Sequence, residues 1–283
     1  MVYTTFLIHR FLPWAAHFIT NDEEVLHSIK ETFCLFAFDG ESPYKAAFEC
    51  EVQYSNMQYY ISITNREMVT VGSLNEVCGY VAHLAFMPDY IRNESLVYLH
   101  GASLVHKTNK KAIALIGATG SGKTTLCASL LCSGEWQYLS DDIIALDATN
   151  GHVIPWPKCM YVREWSLVQS MSNVAVFLEC QQPQLVFNGE TKSILVPKVC
   201  YDAPEAALDR FFFIHRDSSM TQCLFEKLSA SEAFTKMLMN LRDPVNLKVD
   251  KIISIVKKNS FYTLEYDESE RAVNLLNGID YEF

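Results

Sequence analysis

A run of small residues followed by lysine and threonine is the part of this chain best suited to chemistry. Residues 117 to 124 read Gly-Ala-Thr-Gly-Ser-Gly-Lys-Thr and match the pattern G-x-x-x-x-G-K-[ST], the Walker A motif or P-loop. Glycines let backbone N–H groups converge on phosphate oxygens at the positive end of a following helix. In such a loop Lys123 reaches the β- and γ-phosphates and the Thr124 hydroxyl holds Mg²⁺. The motif predicts nucleotide binding through Gly117, Thr119, Gly120, Ser121, Gly122, Lys123, Thr124 and Thr125.

The segments on both sides of the loop support this interpretation. Residues 112 to 116 form a continuous apolar run, as is typical of a buried parallel strand. Residues 125 to 131 follow, with Leu126 and Leu130 one helical turn apart. A strand, a glycine-rich loop and a helix are the elements that a phosphate-binding loop requires.

Two adjacent aspartates follow the next predicted strand. The short strand at 136 to 139 runs through Ser140 into Asp141 and Asp142. Ligands of α/β sheets bind at the carboxyl ends of strands, so this pair could supply a magnesium ligand and a base. Adjacent side chains of a strand point to opposite faces, so both could serve only if the strand ends there. A solvated turn with an N-capping aspartate is an equally good interpretation of these residues alone.

Other candidates carry weaker signals. His100 and Gly101 follow an apolar run, but a lone histidine there is more often a core or turn residue. Arg163 and Arg216 each follow a strand-like run and could clamp phosphate, although surface arginines are commoner. The remaining histidines show no spacing that indicates a metal site.

Composition limits the classes of partner. The 283 residues are 49% hydrophobic and carry a net charge of −10, which disfavours nucleic acid and anionic membranes as partners. The nine cysteines are scattered and include no C-x-x-C pair, so neither a zinc site nor a disulfide framework is indicated. We find no signal-peptide pattern and no run of apolar residues long enough to span a membrane. We therefore expect a cytoplasmic protein.

The chain reads as two domains, residues 1–95 and residues 96–283. In the first, a β-hairpin is predicted from residues 48 to 54 and 57 to 64, followed by an amphipathic helix over 74 to 91. This small α+β unit shows no recognisable chemistry.

The second domain contains the phosphate loop within a mixed set of elements. Residues 97 to 105 predict a strand or a strand-bend-strand. Tight turns are predicted at Asn150-Gly151 and near Gly189, and Ser229 with Glu232 forms a capping box. Further strands are predicted at 211 to 215 and 261 to 266, and helices at 233 to 241, 246 to 258 and 268 to 277, the last with Gly278 as its C-cap.

Three pieces in this order resemble a known family. Leu99-His100-Gly101-Ala102, then the loop at 117 to 124, then Leu139-Ser140-Asp141-Asp142 are similar to the bacterial HPr kinase/phosphorylase family. The similarity continues through residues 153 to 157 and spans roughly residues 96 to 270. The closer similarity is to shorter HPr kinase-like proteins found with peptide-modification pathways.

The resemblance implies a fold class and an activity. The fold would be α/β (α+β overall), an HPr kinase/phosphoenolpyruvate carboxykinase-like P-loop core with a mixed sheet, plus the small N-terminal α+β unit. The activity would be an ATP- and Mg²⁺-dependent kinase that phosphorylates a serine-type hydroxyl on a peptide or protein. Proteins of this family are commonly oligomeric, so a homo-oligomer is also implied.

Residue roles follow from the same resemblance. Asp141 would be the general base, Asp142 and Thr124 would hold Mg²⁺, and His100 would lie beside the transferred phosphate or the base. The two aspartates could exchange roles, because the sequence fixes neither side-chain direction. Lys123 completes the predicted catalytic set.

One departure from the family keeps other functions open. The family carries a glycine-containing segment Glu-x-Arg-Gly-x-Gly after the aspartate pair, and the nearest match here, residues 161 to 165, has no glycines. The alternatives are a catalytically silent nucleotide-binding regulator or scaffold, and a kinase for small hydroxyl compounds.

Overall fold

The computed structural model describes residues 1–84, 94–163, 171, 173–178, 184–242 and 249–279. In chain order, the elements up to the phosphate loop are β1 (Tyr3–Ile8), β2 (Ala15–Thr20), α1 (Glu23–Thr32), β3 (Ala37–Asp39), β4 (Phe48–Ser55), β5 (Gln58–Ile63), β6 (Val69–Val71), α2 (Leu74–Leu84), β7 (Leu96–Leu99), β8 (Gly101–His106) and β9 (Ala112–Ile116). Those after it are α3 (Lys123–Ser133), β10 (Trp136–Ser140), β11 (Ile144–Asp147), β12 (His152–Ile154), β13 (Met160–Val162), β14 (Phe177–Leu178), β15 (Gln184–Phe187), β16 (Glu190–Pro197), β17 (Ala206–Arg216), β18 (Leu224–Lys227), α4 (Ala230–Met239), α5 (Val249–Lys258), β19 (Ser260–Tyr266) and α6 (Ser269–Gly278). Helices combine with several mixed sheets, so the architecture is mixed α and β.

The chain divides into two compact units. The described residues of the first unit are 1–84, 161–163 and 184–196, and the rest of the described chain forms the second. The segment 184–196 belongs to the first unit because its hairpin packs on α2. Gly79 permits this approach, since a β-carbon there would lie 2.1 Å from the carbonyl oxygen of Val186.

A six-stranded sheet forms the body of the first unit, in the order β3-β1-β2-β4-β5-β6. Alternate residues of β4 and β5 are buried and exposed, as expected for a sheet with one covered face. The predicted hairpin at 48–64 is confirmed, with Asn56 and Met57 at positive φ in its turn. The predicted helix at 74–91 is present from Leu74 to Leu84, and its remainder lies outside the described residues.

The second unit is built on a nine-stranded sheet. Its order is β10-β8-β9-β17-β12-β11-β7, with β19 added to β17 and β18 to β19. The neighbours β9, β17 and β19 are parallel, whereas β8 is antiparallel to both β9 and β10. Strands β9 and β10 therefore run in the same direction and end at the same edge of the sheet.

Helices cover this sheet through apolar side chains. Met237 of α4 and Ile252 and Ile255 of α5 join the core formed by β9, β17 and β19. Helix α3 contacts β8, β9 and β10 and also packs against α6. Trp136 at the start of β10 is fully buried, and its Nε1 donates to Asn277 of α6 at 2.8 Å.

Most local predictions for residues 96–283 are confirmed where the structure describes them, with small shifts at helix ends. Residues 96–106 form a strand-bend-strand broken at His100, and the turns at Gly151 and Gly189 have the expected positive φ. The capping box at Ser229 is present, so α4 begins at Ala230 rather than at residue 233. Gly278 is the last helical residue of α6 and Ile279 is its C-cap, so that prediction was wrong by one residue.

No helix within the described part of the chain is long and apolar enough to cross a membrane.

Candidate functional site

The glycine-rich loop connects β9 to α3 at the carboxyl edge of the large sheet. Gly122 caps α3 with a φ of 94°, and Gly120 has a φ of 86°, a region that side chains disfavour. Gly117 leaves no space for a side chain, since a β-carbon would lie 2.8 Å from the carbonyl oxygen of Ile214. The tip of the loop, residues 118 to 120, is exposed. The loop is therefore both tightly folded and open to a phosphate group.

Lys123 is turned back into this loop. Its side chain is buried, and Nζ donates to the carbonyl oxygens of Gly117 at 2.7 Å and Ala118 at 2.8 Å. Burial lowers the pKa of Lys123, and the nearby charge of Asp141 partly opposes that shift. An ammonium held at the centre of the loop is suited to meet phosphate oxygens.

Thr124 and Asp141 join the loop to the end of β10. The Thr124 hydroxyl lies 3.2 Å from Oδ1 and 3.0 Å from Oδ2 of Asp141. The contact forms because β9 and β10 end at the same edge, and because Ser140, just before Asp141, is held by a buried hydrogen bond to Ser103 at 2.6 Å. A hydroxyl and a carboxylate so placed form the pair that holds Mg²⁺ in nucleotide-binding loops.

Asp141 is a buried carboxylate without a cationic partner in direct contact among the described residues. It is 4% exposed, and burial, followed by the charge of Asp142, raises its pKa to about 6. The hydrogen bond from Thr124 opposes this rise. A carboxyl group in this range ionises close to neutral pH, which suits a group that takes up a proton or a metal ion.

Asp142 has a different environment from its neighbour. It has a φ of 72°, so the chain turns sharply after β10. Its Oδ1 lies 3.3 Å from Nδ1 of His100 and also accepts from Arg242, while its Oδ2 accepts from Lys158 at 3.2 Å. Burial alone would raise the pKa of Asp142, but these three partners outweigh it and hold the pKa well below the ordinary value.

Lys158 is brought to this position by the segment after β12. The backbone N–H of Trp156 donates to Leu139 at 2.9 Å, which fixes the segment beside β10. The Tyr138 hydroxyl donates to the carbonyl of Lys158. Only 4% of the Lys158 side chain is exposed, so the carboxylate of Asp142 compensates a buried positive charge.

His100 and Arg242 are held together by the end of α4. The His100 N–H donates to Asn240 at 2.8 Å, and the Arg242 N–H donates to Tyr98 at 3.0 Å. These bonds surround a β-bridge between Leu99 and Leu241. The bend at His100 and the residue after α4 thus converge on Asp142.

The structure brings together most of the residues singled out from the sequence. His100, Lys123, Thr124, Asp141 and Asp142 lie at one edge of the sheet. The other loop residues occupy their expected places: Thr119 and Gly120 are exposed at the tip, and Thr125 lies in the first turn of α3.

The two candidate arginines differ in position. Arg216 lies beside Gly122, since a β-carbon at Gly122 would be 3.8 Å from that of Arg216. Arg163 lies in the first unit, where it pairs with Glu190 at 3.4 Å.

Sequence reasoning missed Lys158 and Arg242. Lys158 follows a Pro-Trp-Pro segment whose rigidity was visible, but nothing local indicated its partner. Arg242 lies 100 residues from Asp142 in the chain. A pair this distant in sequence carries no local signal.

The donor set fits a nucleotide phosphate chain with Mg²⁺. The exposed loop can supply backbone N–H groups, Lys123 supplies an ammonium, and Thr124 with Asp141 supplies two oxygen ligands of the kind that Mg²⁺ prefers.

In comparisons with known proteins, no family model and no curated sequence matches this chain.

Proposed function

We propose that this protein is an ATP- and Mg²⁺-dependent kinase that phosphorylates a serine-type hydroxyl on a peptide or protein. The observation that carries the proposal is the contact between Thr124 and Asp141 beside the cluster of cations around Asp142. When bound, ATP with Mg²⁺ would supply the γ-phosphoryl group and neutralise part of its charge.

The loop and Lys123 would hold the phosphate chain. Lys123 can exchange its bonds to Gly117 and Ala118 for phosphate oxygens, which are stronger acceptors because they are charged. The ordered loop means that little backbone rearrangement is needed on binding.

The contacts favour a clearer division of roles between the aspartates than the resemblance implies. Asp142 is already neutralised by three side chains, so we assign it the role of positioning them rather than of binding Mg²⁺. Asp141, which lies against Thr124, is assigned to the metal side of the site. Its ionised form is needed both for metal binding and for accepting the proton of an attacking hydroxyl.

Lys158 and Arg242, with the imidazole of His100 beside them, would form the rim on which negative charge is stabilised. Phosphoryl transfer depends mostly on positioning and charge neutralisation, and preorganised cations supply both. The three are fixed by one carboxylate and by backbone bonds, so they need not reorganise during the reaction.

The proposal also includes a specific fold for the second unit and a class of phosphoryl acceptor. The order His100, phosphate loop, Asp141-Asp142 supports an HPr kinase/phosphoenolpyruvate carboxykinase-like P-loop core. A peptide acceptor is favoured over a small metabolite by the similarity to short family members linked with peptide modification.

The test is transfer from γ-labelled ATP to synthetic peptides. One peptide pool contains a serine at a fixed position in otherwise varied sequence, and a matched pool contains alanine there. Label in the serine pool alone, lost with Asp141→Asn and without Mg²⁺, would support the proposal. Free serine is run in parallel as the small-molecule acceptor.

Three results would contradict it in different ways. Intact ATP binding with no transfer to any acceptor would favour a silent regulator. Transfer to free serine but not to peptides would favour a metabolite kinase. Failure of the wild-type protein to bind ATP would remove the nucleotide assignment altogether.

A further inference from the structure

A second side of the phosphate loop is formed by β17 and β19. Strand β17 lies next to β9 on the side opposite to β8, and β19 lies beyond it, both parallel to β9. All three end at the same edge, so the residues at the ends of β17 and β19 border the loop. Asp141 and Thr124 lie toward β10, on the opposite side.

The loop makes close contacts with these two strand ends. A β-carbon at Gly122 would lie 2.5 Å from the Tyr266 hydroxyl at the end of β19 and 3.8 Å from the β-carbon of Arg216 at the end of β17. Burial raises the pKa of Tyr266, and the positive charge of Arg216 opposes that rise. The Tyr266 hydroxyl and the β-carbon of Arg216 therefore both border Gly122.

Arg216 is exposed but anchored. Its Nε donates to the carbonyl oxygen of Asp267 at 3.0 Å. Asp267 is itself fixed, because its carboxylate accepts from Arg271 at 2.7 Å, and Arg271 also holds the carbonyl of Thr221 at 2.7 Å. Within the part of the chain that the structure describes, the two terminal nitrogens of Arg216 donate to no protein acceptor.

An anchored guanidinium whose two terminal nitrogens are both unused is suited to an anion. Its planar fork binds phosphate oxygens in pairs, and one bond through Nε reduces the entropy lost on binding. In the proposed function the γ-phosphate lies toward Asp141 and Thr124, so a cation on the opposite side of the loop would meet the phosphates nearer the nucleoside.

We propose that Arg216 binds the α- and β-phosphates of the nucleotide and sets nucleotide affinity without taking part in phosphoryl transfer. The inference rests on the proposed function for its nucleotide, but it concerns binding and not transfer. The two sides of the loop would then have separate roles. Residues on the β10 side would act in phosphoryl transfer, and Arg216 on the β17 side would bind the nucleotide.

The test compares Arg216→Gln with the wild-type protein by titration calorimetry with ATP, ADP and inorganic triphosphate. Gln preserves length and removes the charge, and Arg216→Lys preserves charge without the fork. Lys227→Ala is the control for loss of an exposed positive charge. Lys227 lies opposite Tyr262 in the antiparallel pair of β18 and β19, away from the carboxyl end of β19. We expect about a tenfold loss of affinity for all three ligands with Arg216→Gln, a smaller loss with Arg216→Lys, and none with Lys227→Ala.

Each other pattern would overturn the role of Arg216. A loss for ATP but not ADP would place it on the γ-phosphate, and an unchanged affinity for triphosphate would place it on the nucleoside. In turnover assays the effect should fall on KM, and a loss confined to kcat would also contradict it. If the wild-type protein binds no ATP, the proposed function fails with it; if it binds and Arg216→Gln binds equally well, only this inference fails.

Discussion

The Thr124 hydroxyl lies within 3.2 Å of both carboxylate oxygens of Asp141, which joins the first turn of α3 to the end of β10. This contact places a buried carboxylate against the glycine-rich loop. It has no cation in direct contact among the described residues, whereas the adjacent Asp142 has three partners. Two neighbouring aspartates therefore respond in opposite ways to pH and to substitution.

Asp141→Asn is expected to stabilise the metal-free protein while abolishing transfer. The pKa of Asp141 is raised from 3.8 to about 6, so ionisation is harder in the folded chain than in the unfolded chain. Stability is therefore lost as pH rises between these two values, and the loss is complete above the folded pKa. Asparagine removes this loss, which gives a gain of about 2–3 kcal/mol at about pH 8 and almost none at about pH 4.

Denaturant unfolding at several pH values measures this difference. Asp202→Asn serves as the control, since Asp202 is exposed. An Asp141→Asn variant that is less stable than the wild-type protein at alkaline pH would show that the burial argument is wrong. Addition of Mg²⁺ should stabilise the wild-type protein more than the variant.

Asp142→Asn is expected to destabilise the protein by about 2–3 kcal/mol, because it leaves the buried ammonium of Lys158 without its carboxylate. Lys158→Met removes the charge and keeps much of the side-chain volume. The double variant Asp142→Asn with Lys158→Met should be more stable than Asp142→Asn alone. All three variants should lack transfer activity.

A double-mutant cycle by chemical denaturation measures the coupling. A double variant whose loss of stability equals the sum of the two single losses would mean that the pair is not coupled and that Arg242 or His100 carries the interaction instead.

Lys123→Met is expected to weaken ATP binding by about 100-fold, because a charged donor to phosphate is lost. Stability should fall by about 1–3 kcal/mol, because the buried carbonyl of Gly117 loses its donor, whereas the carbonyl of Ala118 lies on the exposed tip of the loop. Lys107→Met is a matched control at the other end of α3, where Lys107 donates to the carbonyl of Gly134. Calorimetric titration with ATP should show near wild-type affinity for Lys107→Met. An equal loss of ATP affinity in both variants would mean that the change disturbs α3 rather than the loop.

Gly101→Ala is expected to destabilise the protein by about 1–3 kcal/mol. The new β-carbon would lie 2.6 Å from the carbonyl oxygen of Leu115 and 2.5 Å from Cδ1 of Ile144. The backbone of a central strand cannot move away from the added carbon, so the bend at His100 must shift. We therefore expect transfer activity to fall as well. Gly278→Ala is the control, with no atom within 4 Å of the added carbon; thermal unfolding that ranks the two variants equally would refute the packing argument.

Local chemistry accounts for the elements that were predicted correctly. The apolar run before the loop, the Asn150-Gly151 turn and the capping box at Ser229 each depend on residues within a few positions, and all three form. Both aspartates could serve in one site only if the strand before them ends there. This condition is met, since β10 ends at Ser140 and the chain turns at Asp142.

What escaped prediction depends on pairs that are distant in the sequence. The packing of 184–196 on α2 requires the absence of a side chain at Gly79, and no periodicity reveals such a contact. Lys158 and Arg242 reach Asp142 from segments 16 and 100 residues away. The difference between Asp141 and Asp142 follows from these partners, so residue type and spacing could not separate the two roles.

The attachment of Asn240 and Arg242 to the bend at His100 has a consequence for synthesis of the chain. The phosphate loop and both aspartates emerge from the ribosome long before α4, but the cluster around Asp142 is complete only when residue 242 can return to β7. Contacts of such sequence separation form late in folding. A nascent or truncated chain ending before α4 would carry the glycine-rich loop and both aspartates without the arginine that pairs with Asp142, so the contacts around Asp142 would be complete only after residue 242 has been synthesised.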